Sequence, residues 1–130
     1  MAERLAQKLF PDHYWESAGV MPTGEMHEET ATVLQERGCD TSGFRGRHVD
    51  DLDLASFNHV VLIGETAAAL TPGPPSQVKT HHWHVADPFE VQGPQDMIRA
   101  AYRDCADELT VRIIGLMEEE QPRLSKTDVV

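Results

Sequence analysis

The stretch Gln77-Val78-Lys79-Thr80-His81-His82-Trp83-His84-Val85-Ala86-Asp87-Pro88 decides how this chain is read. Val78–Trp83 has the make-up of a short strand, with Val, Thr and an aromatic in it. Asp87-Pro88 then turns the chain, because Pro fixes its own φ and keeps the residue before it out of the helical region. A long amphipathic helix follows, with Ile98, Ala101, Tyr102, Cys105, Leu109, Ile113 and Leu116 on one stripe.

Working outward, alternation of the same kind recurs. His59-Val60-Val61-Leu62-Ile63 is a continuous apolar run, the pattern of a parallel strand buried on both faces. Glu65–Leu70 reads as a short helix and Pro72-Gly73-Pro74-Pro75 as a stiff loop. Residues 41–56 are polar, a loop with one helical turn near Asp50–Leu54. Thr23 is the expected N-cap of a helix carrying Met26, Thr30, Val33 and Leu34, and Gly38 is its stop. Tyr14–Ala18 reads as a short strand closed by Gly19. Ala2, Leu5, Ala6 and Leu9 form one helical face, ended by Pro11-Asp12. Strands alternating with helices predict a three-layer α/β sandwich with a short parallel sheet. Sheets of this kind open with a strand; here the first element is a helix.

Composition narrows the function classes. The 130 residues hold 11 Lys plus Arg against 22 Asp plus Glu, a formal charge of −11. Such a balance repels nucleic acid and anionic membrane, which are bound through basic patches. No apolar run approaches the about 18 residues of a membrane span, and no basic-then-apolar leader opens the chain. Two cysteines, Cys39 and Cys105, do not make a disulfide framework, so a reducing, cytoplasmic setting is expected. Residues 1–121 are read as one domain and 122–130 as a flexible C-terminal tail.

Together these pieces resemble the low-molecular-weight protein tyrosine phosphatases and their thioredoxin-coupled arsenate reductase cousins. The matching residues are Met1-Ala2-Glu3, Glu16-Ser17-Ala18-Gly19, Gly38-Cys39-Asp40-Thr41-Ser42-Gly43, the 58–64 strand, Val78-Lys79, His82-Trp83 and Asp87-Pro88. The resemblance covers about residues 1–118 and implies a sheet of order 2-1-3-4. It places the first strand and the phosphate loop, with its nucleophilic Cys and Arg, ahead of Met1. The expectation is therefore a degenerate or N-terminally incomplete relative without catalysis as given. One alternative is a non-catalytic interaction protein that dimerises or binds an anion. Another is an active phosphatase whose loop was lost through a mis-set start. With a central strand absent, the flanking strands have no partner, and a homo-oligomer is expected.

The resemblance also assigns candidate residues. Asp87 matches the general acid that protonates the leaving oxygen and then assists water. The two further cysteines of the arsenate reductases align with Gly64 and Thr71. Apart from the resemblance, Arg45 and Arg47 in their Gly-containing loop are candidates for a phosphate-like anion, and otherwise are solvated charges. Cys39 and Cys105 read as inert core thiols. His59, His81, His82 and His84 lie near one another, but no Cys or carboxylate stands at ligand spacing, so no metal and no cofactor is expected. Trp15 and Trp83 read as core or rim aromatics.

Overall fold

A computed structural model describes residues 1–19 and 25–129, with side chains as far as Glu119. The expected Thr23 cap and the side chains of the expected tail over 122–130 lie outside what is described. Six elements follow in order: α1 (Ala2–Leu9), α2 (Glu28–Glu36), β1 (His59–Ile63), α3 (Glu65–Leu70), β2 (Lys79–Trp83) and α4 (Gln95–Val129). Short 3-10 turns at Val49–Asp51, Leu54–Ser56 and Pro88–Glu90 punctuate the connections. The architecture is α/β, an open two-stranded parallel sheet with helices around it.

β1 and β2 pair in register from His59 opposite Lys79 to Ile63 opposite Trp83. Side chains alternate across a strand, so His59, Val61 and Ile63 share a face with Lys79, His81 and Trp83. That face meets the helices. α1 and α2 both pack on α4, and the core joins Leu5, Ala6, Val33, Leu34, Trp83, Tyr102, Leu109 and Ile113. The helical stripe read along α4 is the stripe that is buried, with Ala106 and Met117 added to it. Gly38 ends α2 with φ of 75°, the left-handed conformation that a residue without Cβ adopts freely.

Two expectations are corrected. Tyr14–Ala18 is not a strand: Gly19 alone bridges to His48, through Gly19 N–H to Arg47 O at 2.9 Å and Val49 N–H to Gly19 O at 3.0 Å. A Glu-Ser-Ala segment has weak strand preference of its own and needs a neighbouring strand to pair with. β1 is not buried on both faces either. Its first four residues are half-buried and Ile63 is 37% exposed, because β2 covers only one of its edges.

Candidate functional site

The turn after β2 sets one end of the molecule. Trp83 anchors the end of the strand in the core, and the chain then leaves for the surface. Asp87 caps the Pro88–Glu90 turn, its Oδ1 accepting from Phe89 N–H at 2.9 Å. Its carboxylate is exposed. Phe89 is exposed as well, and its ring stacks on His27 with centroids 4.9 Å apart. Tyr102 and Cys105 of α4 lie close enough to feel the Asp87 charge. Burial first, and then Asp87, pushes the Tyr102 hydroxyl up. Burial likewise pushes the Cys105 thiol up, against the Met1 amino group.

A second group of residues converges beside α1. Glu3, Arg4, Ser17, Gly43, Arg45 and Arg47, with Phe44, line a cavity of about 110 Å³. The Gly19–His48 bridge builds it, since tying Gly19 to Arg47 sets Ser17 beside the 43–47 loop. Gly43, with φ of 71°, turns that loop. Arg47 pairs with Glu16 at 2.9 Å, and Glu16 also accepts from the Tyr14 hydroxyl. Tyr14 and Arg47 together hold the Glu16 carboxyl below its ordinary range. Arg45 and Arg47 are thus brought together, joined by Arg4, which the sequence did not flag. Asp87 is not among the residues lining this cavity.

The histidines form two pairs. His59 Nδ1 and His81 Nε2 are 3.0 Å apart, so one ring nitrogen donates and the other accepts. His82 and His84 lie with ring centroids 4.3 Å apart. Among the described residues no three His, Cys, Asp or Glu converge into a metal-holding group.

The sequence profile of the low molecular weight phosphotyrosine protein phosphatases matches residues 1–127. The chain belongs to that family. Among solved structures it is similar to an arsenate reductase from Archaeoglobus fulgidus DSM 4304, with TM-score 0.70 and 25% identity over 88% of this chain and 86% of that one. An arsenate reductase in its reduced state shares the fold, with TM-score 0.67 and 16% identity over 91% and 86%. No curated protein sequence matches the chain significantly.

Within this family the nucleophile is a thiolate in a Cys-x5-Arg loop, and residues 39–45 do contain that spacing: Cys39-Asp40-Thr41-Ser42-Gly43-Phe44-Arg45. The reading of Cys39 as a core thiol alone passed over it. The geometry is not that of a phosphate cradle. Cys39 follows the end of α2, its N–H bonded to Leu34 O at 3.0 Å. The Asp40 carboxylate takes the Ser42 N–H at 2.9 Å and the Ser42 hydroxyl at 2.6 Å, so these donors of the loop are already occupied. Among the described residues no α-helix begins between Arg45 and β1 to aim its N-terminus at the loop. Cys39 is 7% exposed, and burial pushes its thiol up where a nucleophile needs it lowered.

The two positions aligned with the arsenate reductase relay thiols flank α3. Gly64 sits before it with φ of 89°, and Thr71 follows its last turn. A side chain at Gly64 would be strained at that φ whatever the open space around it.

Proposed function

We propose that residues 1–130 carry the family's scaffold without its phosphotyrosine hydrolysis. The observation behind this reading is the state of the two thiols. Cys39 is buried, Cys105 is packed against the core, and burial raises the pKa of both. A thiol in that state is a poor nucleophile at neutral pH. By resemblance Asp87 matches the family's general acid, but Cys105, the thiol that feels its charge, is not activated to be served by it. Gly64 and Thr71 in place of relay cysteines argue the same way against thioredoxin-coupled arsenate reduction, since exchange requires a thiolate at each step.

The test is turnover of p-nitrophenyl phosphate by the purified polypeptide. The expected rate equals that of buffer, and Asp87→Asn leaves it unchanged. Turnover above buffer that falls in Asp87→Asn would overturn the proposal. A Cys-x5-Arg sequence encoded in frame directly upstream of Met1, active when expressed with residues 1–130, would decide instead for a phosphatase read from a late start.

A further inference from the structure

The cavity beside α1 carries chemistry that phosphatase descent does not use. Seven arginines have described side chains, and six of them pair with an acid: Arg4 with Glu3, Arg37 with Asp107, Arg47 with Glu16, Arg99 with Glu29, Arg103 with Glu36 and Arg112 with Glu108. Arg45 alone remains, and it lines this cavity together with Arg4 and Arg47. Among the described residues Arg45 makes no hydrogen bond or ion pair, and it is exposed. Arg4 is 15% exposed, its Nε is buried without a hydrogen-bond partner, and the nearest carboxylate oxygen, of Glu3, is 3.6 Å away. A buried guanidinium donor left unpaired is costly. In a chain of net charge −11 carboxylates are plentiful, yet Arg45 has none and the Arg4 Nε donates no hydrogen bond to Glu3.

We propose that this cavity is a binding site for a small tetrahedral oxyanion of the phosphate class, held by Arg4, Arg45 and Arg47. Its wall pairs three guanidiniums with the Ser17 hydroxyl. Guanidinium forks match the oxygens of such an anion two at a time, and an anion with four oxygens can engage several forks that a carboxylate cannot. Glu3 and Glu16 offset two of the three positive charges, leaving one for the ligand. Arg4 Nε gains the hydrogen-bond partner it lacks, and Arg45 is ordered by its first ion pair. The site lies outside the family's thiol chemistry, so it stands or falls independently of the proposed loss of hydrolysis.

The experiment is calorimetric titration of the full chain with inorganic phosphate, ionic strength held constant with sodium chloride. Saturable binding of one phosphate per chain is expected, competed by sulfate. Arg45→Gln should weaken it about tenfold or more, because a charge-assisted hydrogen bond contributes about 1.5–3 kcal/mol and 1.4 kcal/mol is tenfold. Arg45→Lys, which keeps the charge but not the fork, should fall between the two. Arg99→Gln, whose partner is Glu29 on α2, should bind as the parent does. No saturable heat with the parent chain, or equal weakening by Arg45→Gln and Arg99→Gln, would overturn the site.

Discussion

His81 shows how one residue records its surroundings. It stands on the helix-facing side of β2, where burial first, and then the His59 ring and Lys79, disfavour its protonation, while Glu119 on α4 opposes them. Its pKa is therefore lowered from the ordinary 6.5. The unfolded chain takes up this proton near pH 6.5 and the fold does not, so the unfolded state binds more protons below that point. The contribution of His81 is complete above about pH 6.5 and is lost as pH falls towards the folded value. Urea midpoints measured from pH 7 to 5 should decline, and His81→Gln should flatten that decline. The carboxylates held low, Glu16 by Tyr14 and Arg47, Glu36 by Arg103 and Asp40 by Ser42, act at lower pH, while the Met1 amino group, lowered from 8.0 by burial, adds to the decline alongside the imidazole. An unchanged slope in His81→Gln would place the proton elsewhere.

Between elements, the α2–α4 seam combines two kinds of contact of unequal weight. Leu34 is 0% exposed and lies in the core against α4. Outside it runs a row of charge pairs, Arg37 to Asp107 at 2.5 Å and Arg103 to Glu36 at 2.7 Å. Exposed pairs gain little, because water solvates the separated charges nearly as well. Leu34→Ala should cost about 2–5 kcal/mol in urea unfolding, from lost burial and the void left behind. Arg103→Met should move the urea midpoint far less. The reverse order would mean that the charge ladder, not the apolar seam, holds α2 in place. The ladder's partners stand about seventy residues apart, which no local pattern announces, whereas Val33 and Leu34 were legible as the inner face of α2.

At the scale of the whole molecule, the sheet is open. β1 has a strand partner on one edge only, and among the described residues the other edge is unpaired. Two strands alone are marginal in water, and an exposed apolar edge is a template for another strand. The segment 14–18 carries no strand and does not pair with β1, so it does not close the gap. A polypeptide of residues 1–130 is therefore expected to be a dimer or larger by light scattering at micromolar concentration. A cooperatively folding species at the 14.5 kDa monomer mass would refute this.

The sequence by itself determined the parts that depend on neighbours a few positions away. The 3.6-residue stripe of α4, the apolar face of α1, the short α3 and the two strands each follow from side chains that must share a face once the backbone repeats. The order of those pieces carried the family. What only the tertiary structure decided depends on segments distant in the chain. Tyr14–Ala18 opens on two aromatics but has no strand beside it, and its weak strand preference needs a partner to form one. Cys39 and Arg45 have the Cys-x5-Arg spacing, but only packing shows that the thiol is buried and that Asp40 is turned onto Ser42. Arg4 joins Arg45 and Arg47 because α1, the Gly19 bridge and the 43–47 loop meet in space. Local periodicity is written in adjacent residues; the convergence of charge is set by packing, where burial and distance fix what each group can do.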